Sequence, residues 1–413
     1  MEITKIAEEI NKEGGRLYLV GGAVRDEILG KPSYDKDYCV VGINKEKFIS
    51  LFPMAKMDGK AFPVFRIEGN EFALARKEKK VGKGHKEFEF ICDGNVTLKD
   101  DLERRDITIN AIAKDVLTGE IFDYFGGRKD IEKKTIRAIG KHFVEDPLRV
   151  YRVARFSSSL GFNVDEETIL MMKSIKKELY FLSKERVFEE LKKALGSEKP
   201  SIFFDVLRKA DVLEVHFEPI YKLIGALQPE KYHPEGDSYN HTMIALDKSC
   251  EYTKDLKIRF SVLVHDFGKG ETPKEEYPHH IGHEERGVEV VKKFCKELRI
   301  PNSWKKCGIT ATREHMRGGI FNKMKASKKV DFIERIDKSY LGLKGLQIVV
   351  NCDKFGRTSK DLDFLTIGKK CLEEVNAEYI KKKYNAEEGV LLGKKLREER
   401  ILWMKKLDNR DKK

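Results

Sequence analysis

The chain is poor in the features that mark a membrane or secreted protein. Its 413 residues contain no run of about 18 apolar residues, so no bilayer-spanning helix is expected. The opening MEITKIAEEINKEGG mixes acidic and basic residues and lacks the apolar centre of a secretory signal. Seven cysteines, an odd number with no Cys-x-x-Cys pair, argue against a disulfide framework and a cysteine-rich zinc site. A cytoplasmic location is the expectation. Internal repeats and long low-complexity tracts are also missing. What the chain has in quantity is charge: 36% of residues are ionic, and 81 Lys plus Arg against 69 Asp plus Glu leave a net +12. That surplus points towards a polyanionic partner only as a prior. A 40% hydrophobic content is enough for a sizeable core, and the length suggests two to four domains.

The first 140 or so residues alternate β-rich runs (Leu17 to Val20, Tyr38 to Val41, Val64 to Ile67, Phe88 to Cys92) with helix-like runs. From Asp146 the spacing becomes helical with few breakers. A polar, Pro-bearing stretch, Gln228 to Ser238, predicts a second boundary. The reading is an α+β chain in four parts: a mixed head over 1–140, a helical region over 141–230, a histidine-rich helical domain over 239–360, and a basic helical tail over 361–413.

In LYLVGGAVRDEIL, Gly21 and Gly22 separate a strand-like run from a helix-like run. Backbone amides at such a turn can approach phosphate closely, and Arg25 adds a charge-assisted donor. SYDKDYCVVG follows, in which Asp35 and Asp37, two apart, share one face of a strand. Like charges so placed are either solvated or hold a hard cation. Turn and carboxylates together suit nucleotidyl transfer, in which two Mg²⁺ ions are anchored by carboxylates while basic groups hold a triphosphate. DDLERRDITINAIA adds Arg105 as a triphosphate ligand and Asp106 as either a third metal carboxylate or a helix cap.

LVGGAVRD, DKD, FPVF, ALARKE, DDLERRDITINAIA and EDPLRVYRVARF, in this order, resemble the class II tRNA nucleotidyltransferases, the CCA-adding enzymes of the DNA polymerase β superfamily. The resemblance implies a polymerase-β-like head followed by an all-helical RNA-binding region. It places Gly22, Arg25 and Arg105 on the incoming CTP or ATP and Asp35 and Asp37 on Mg²⁺, with tRNA as the acceptor. The EDPLRVYRVAR motif would then read the base. A carboxylate accepting from an exocyclic amino group and a guanidinium donating to a ring nitrogen accept C and A and refuse U and G, and Asp146 with Arg149 has that chemistry. Arg152 and Arg155 fit phosphate or template-positioning roles. The basic segment Ala75 to Phe90 reads as a loop, and in the family a loop near this place is associated with the switch from C to A addition. The bacterial poly(A) polymerases share the first motifs and are the alternative. A monomer or homodimer is expected.

Seven of the ten histidines lie between His233 and His315. HDFGKG sets an adjacent His-Asp pair at the end of the apolar run FSVLVHD. Mixed imidazole and carboxylate ligands suit Ni²⁺, Mn²⁺, Co²⁺ or Mg²⁺ and activate water against a phosphate ester. This part resembles the HD phosphohydrolases carried by one bacterial subgroup of the CCA enzymes, and the resemblance assigns His241, His265, Asp266 and Asp353 to a metal. His280, His283 and His315 are read as completing a second metal or contacting phosphate. Phosphatase, 2'-nucleotidase and 2',3'-cyclic phosphodiesterase activities follow from the resemblance. The third reading is an HD phosphohydrolase whose head has become an RNA-binding module.

Overall fold

A computed structural model describes residues 2–33, 36–58, 64–80, 88–91, 93–231, 233–354, 363–384 and 390–410. The chain divides into two compact units, Met1–Glu190 with Ile202–Val215, and Leu191–Ser201 with His216–Lys413. No helix of the described residues is long and apolar enough to cross a membrane. The described cysteines are unpaired.

The first unit is built on a seven-stranded sheet. Its strands are β1 (Arg16–Val20), β2 (Asp37–Val41), β3 (Lys56–Asp58), β4 (Val64–Ile67), β5 (Asn70–Leu74), β8 (Ala113–Asp115) and β9 (Ile121–Phe122), in the order β3-β4-β5-β2-β1-β8-β9. β6 (Lys77–Lys80) and β7 (Phe88–Ile91) pair separately as an antiparallel ladder. Successive β1 residues point to opposite faces. Leu17 therefore joins Ile6, Ile10, Phe48, Phe65 and Phe72 on one side, while Tyr18 and Val20 join Cys39, Leu102 and Ala113 on the other. The edge strand β3 is exposed throughout and ends in Asp58, a charged border that discourages further strand pairing. The basic segment read as a loop is thus partly strand. Lys-Glu-Lys-Lys has low strand propensity, and backbone pairing with β7 overrides it; residues 81–87 lie outside the described residues.

The remainder is helical, as the spacing predicts, except for a two-residue strand, Asn163–Val164, that pairs in parallel with Thr135–Ile136. Helices Leu148–Leu160, Glu166–Ser174 and Lys184–Leu195 follow the head. In the second unit, Ser238–Tyr252, Leu256–Val264, His283–Glu297, Asn302–Gly319, Ala326–Asp337 and Gly342–Asp353 enclose a core that includes Val262, Ala311, Phe332, Leu346 and Val350. The basic tail forms three helices among the described residues, Phe364–Glu374, Ala377–Tyr384 and Val390–Arg410. The longest is docked: Met404 is fully buried in that core, and Arg400 pairs with Glu334.

Candidate active sites

The glycine turn of the head is shaped by one guanidinium. Gly21 has φ +75°, a backbone conformation that strains any side chain, and a Cβ there would lie 2.8 Å from Arg105 Nη1, so the guanidinium would have to shift. Arg25, one turn on, is buried; its Nη1 donates to Asn110 Oδ1 at 2.6 Å and its Nη2 lies 2.8 Å from Asp26. Arg105 donates to Asp101 Oδ2 at 3.2 Å, and Asp101 also takes Arg104 at 2.6 Å. Burial would raise the pKa of Asp101, but Arg104 and Arg105 outweigh it and hold the carboxyl below its usual range.

Asp37 opens β2, opposite Val20 of β1 and beside Glu71 of the parallel strand β5. A cleft of about 200 Å³ is lined by Asp37, Glu71, Arg76, Arg104 and Arg105, so the strand carboxylate and three guanidinium groups share one space. Asp35 lies outside the described residues.

The EDPLRVYRVAR arginines do not act as one row. Arg149 is buried and donates to the carbonyls of His142 and Arg104, both at 2.5 Å, while Asp146 accepts from Leu148 N at 3.1 Å and lies 3.5 Å from Arg186. Arg152 pairs with Asp106 at 2.8 Å and Arg155 with Glu190 at 2.5 Å. Asp106 is the hub: its other oxygen accepts from Ile107 N and from Asn110 Nδ2, which links Arg152 to Arg25. Burial alone would raise the pKa of Asp106; Arg152 and the Asn110 hydrogen bond prevail and lower it. Of its two expected roles, metal ligand or helix cap, these contacts favour a structural one. Arg25, Arg152 and Arg155 lie 5.5, 5.4 and 3.8 Å from the centroid of the Phe156 ring. Asp101, Asn110 and Phe156 were not singled out from the sequence, because an 85-residue gap between Arg25 and Asn110 leaves no trace in local spacing.

In the second unit the apolar helix Leu256–Val264 carries the His-Asp pair into the interior, where His265 and Asp266 are fully buried. Gly268 lets the helix that begins at His283 pack close against the chain there: a Cβ would meet the His283 carbonyl at 1.9 Å. His241 Nε2 lies 3.1 Å from Asp353 and 3.7 Å from Asp266. His265 Nε2 lies 3.2 Å from Asp266 and 3.7 Å from Asp353. On the other oxygen of Asp266 are His283 Nε2 at 3.3 Å and His315 Nε2 at 3.5 Å. The ligand atoms of His241, His265, Asp266 and Asp353 lie within 4.8 Å of one another, as do those of Asp266, His283 and His315. His280 is not among them. Its two nitrogens are taken by Thr272 Oγ1 and Leu227 O, both at 2.9 Å, which removes it from the expected second metal site.

The tautomers follow from the outer contacts. Nδ1 of His265 donates to Val262 O, that of His283 to His280 O, and that of His315 to the carbonyls of Ala311 and Thr312. Each therefore turns its Nε2 towards Asp266, and the Nε2 atoms of His283 and His315 lie 3.3 Å apart. Both Asp266 oxygens and His265 Nε2 are buried without an aligned hydrogen bond. Lys269 Nζ is 2.6 Å from Asp266 Oδ2 as an ion contact and also donates to Gln228. Burial would lower the pKa of His265, yet Asp266 and Asp353 push it up to about 10. Two carboxylates and four imidazoles turned inward, with Asp266 oxygens that make no aligned hydrogen bond, fit a divalent cation, which would displace the Nε2 proton of His265. A cavity of about 800 Å³ opens beside Asp353 and His283, lined also by Lys269, Lys354, Ile281 and Met316.

Comparison with known proteins identifies the domains in which these residues lie. Residues 17–137 match the Poly A polymerase head domain family, 161–223 the probable RNA and SrmB-binding site of polymerase A, and 238–339 the HD domain. A head of this type and an HD domain both imply dependence on divalent cations. The chain is 44% identical over 352 residues to the multifunctional CCA protein of Shewanella denitrificans, covering 83% of this chain and 84% of that one. Its identity to the multifunctional CCA protein of Acinetobacter baylyi is 42%, covering 78% and 79%. Among solved structures, the fold is similar to the CCA-adding enzyme apo form II (TM-score 0.66, 19% identity, 98% of this chain and 90% of that one). It is likewise similar to the Thermotoga maritima CCA-adding enzyme complexed with tRNA (TM-score 0.65, 21% identity, the same coverage). Motifs, fold and relatives agree: the chain belongs to the multifunctional CCA protein family, tRNA nucleotidyltransferases that carry an HD domain.

Proposed function

We propose that the chain transfers CMP, CMP and AMP from CTP and ATP to the 3' end of tRNA without a nucleic-acid template. The observation that carries this is the cleft in which Asp37 faces Arg76, Arg104 and Arg105. Asp35 and Asp37 are the residues that would hold Mg²⁺, which activates the attacking hydroxyl and neutralises the triphosphate. Arg25 and Arg105 grip triphosphate oxygens, and Gly22 lets the backbone come close. Asn110 and Asp101 brace the two guanidinium groups so that little order is lost on binding. Asp146 and Arg149 read the amino group and ring nitrogen of C or A, with Arg149 fixed by the carbonyls of His142 and Arg104. Arg152 and Arg155 keep that helix in place through Asp106 and Glu190.

In the HD domain, His241, His265, Asp266 and Asp353 would hold one divalent ion (Ni²⁺, Mn²⁺, Co²⁺ or Mg²⁺), and Asp266, His283 and His315 a second. Such an ion supplies a nucleophilic water and polarises the phosphate. The adjoining cavity, with Lys269 and Lys354 on its wall, suits the phosphate and organic part of a nucleotide, in line with phosphatase, 2'-nucleotidase and 2',3'-cyclic phosphodiesterase activities. The working division is a head over 1–140, a tRNA-binding helical region over 141–230, the HD domain over 239–360 and the tail over 361–413. The protein works in the cytoplasm as a monomer or homodimer. The test is incubation of tRNA lacking its terminus with CTP and ATP. Addition that stops after three nucleotides is expected. Long A tails would overturn the reading in favour of a poly(A) polymerase, and phosphoester hydrolysis without incorporation would favour a head that only binds RNA.

A further inference from the structure

The segment between the second and third family matches carries a carboxylate that neither covers, since one match ends at residue 223 and the next begins at 238. Glu235 is held there by several backbone ties. Leu227 and Asp237 form an antiparallel bridge, and Gly236 N donates to His233 O. Asp237 accepts from Gly225 N and caps the following helix at Asn240 N. Asn240 Nδ2 in turn donates to the Glu235 carbonyl at 3.3 Å. The Glu235 side chain is 7% exposed, and its Oε1 lies 2.7 Å from His241 Nδ1 and 2.9 Å from His233 Nδ1.

His241 is thereby unlike the other imidazoles of the cluster. Those of His265, His283 and His315 rest their Nδ1 on backbone carbonyls, whereas His241 rests its Nδ1 on a buried carboxylate. A carboxylate is the stronger acceptor; it draws the Nδ1 proton, fixes the tautomer and makes Nε2 a better electron-pair donor. That Nε2 faces Asp353 and Asp266. We infer that Glu235 is a positioning residue for the HD metal centre, which makes the site of His241, His265, Asp266 and Asp353 the tighter of the two. This rests on the metal reading of the HD domain given above. His233, the second donor on the same oxygen, keeps the carboxylate aimed at His241.

The test is calorimetric titration of Mn²⁺ into the full-length chain carrying Asp35→Ala and Asp37→Ala, so that the head's metal carboxylates add no binding step. Two steps are expected, and Glu235→Gln should weaken the tighter one by about 10- to 100-fold while leaving the weaker one unchanged. Glu235→Asp, which keeps the charge, should weaken it less; if the Gln variant has lost its helical circular dichroism, the Asp variant decides. An unchanged tighter step, or equal weakening of both, overturns the inference. Absence of any Mn²⁺ binding by the parent chain would overturn the metal reading beneath it, a result distinct from an indifferent Glu235.

Discussion

The head and the HD domain hold their charges in opposite ways. In the head the motif arginines are tied to protein acceptors: Arg25 to Asn110, Arg105 to Asp101, Arg152 to Asp106 and Arg155 to Glu190. In the HD domain the buried Asp266 and the partly buried Asp353 face inward-turned imidazole nitrogens, and both oxygens of Asp266 lack an aligned hydrogen bond. A site for an exchangeable polyanion has to stand open between turnovers, so its cations are braced and held ready. A site for a resident cation concentrates donors at a cost of several kcal/mol per unpaired buried ion, which the metal offsets. Clustered carboxylates and imidazoles thus mark the metal site, and guanidinium groups held by protein acceptors mark the nucleotide site.

The comparison breaks first if the two sites are not separate. Asp37→Ala should lower nucleotide incorporation on the order of 10³-fold, the scale of removing a preorganised charge-stabilising group, and leave hydrolysis of 2',3'-cyclic AMP intact. Asp266→Ala should do the reverse, with a loss of similar order in hydrolysis and normal addition of three nucleotides to truncated tRNA. Loss of both activities in either variant would show that the sites share a step.

A smaller effect sharpens the account of the head. Asp106→Ala strands Arg152 and removes the brace from Asn110, which orders Arg25. The Arg152 side chain keeps 34% exposure. The expected destabilisation is therefore about 2–3 kcal/mol, below the ~3–5 kcal/mol of breaking a fully buried pair. KM for CTP should rise in the folded variant, as checked by urea unfolding and steady-state addition kinetics. Unchanged stability and KM would mean that the hub is only a crystal-like arrangement of neighbours with no energetic coupling.

Much of this was legible in the sequence, for a physical reason. Gly21, Gly22, Arg25 and Asp37 sit where a strand ends or begins, and strand and turn periods are local signals. The His-Asp pair was legible because two polar residues end an apolar helix. The missed elements depend on pairings that the period does not encode. β6 consists of Lys-Glu-Lys-Lys and is a strand only through its partner. Asp101 and Asn110 acquire meaning only when folding brings Arg105 and Arg25 to them. His280, inseparable from His283 by composition, is excluded by a threonine and a carbonyl from another segment. Glu235 lay inside a stretch read as a boundary, where nothing in the sequence says which way a side chain faces.

The mildest perturbation is acid. Asp101 and Asp106 have folded pKa values below their unfolded ones, because the arginines and Asn110 beside them outweigh burial. Their contribution to head stability is therefore complete above the unfolded carboxylate value of about 3.9 and is lost as pH falls through the folded values, at no more than about 1.4 kcal/mol per pH unit for each proton taken up. Both tryptophans, Trp304 and Trp403, belong to the second unit, so fluorescence is blind to this loss. Hydrogen exchange of the Asp37–Val41 strand, corrected for intrinsic rates, reads it directly. Between pH 5 and 3 the opening free energy of that strand should fall, and Asp106→Asn, which cannot ionise, should flatten the fall. An equal slope in the variant would mean that the charge on Asp106 does not hold the head together, and the acid loss would then rest on Asp101.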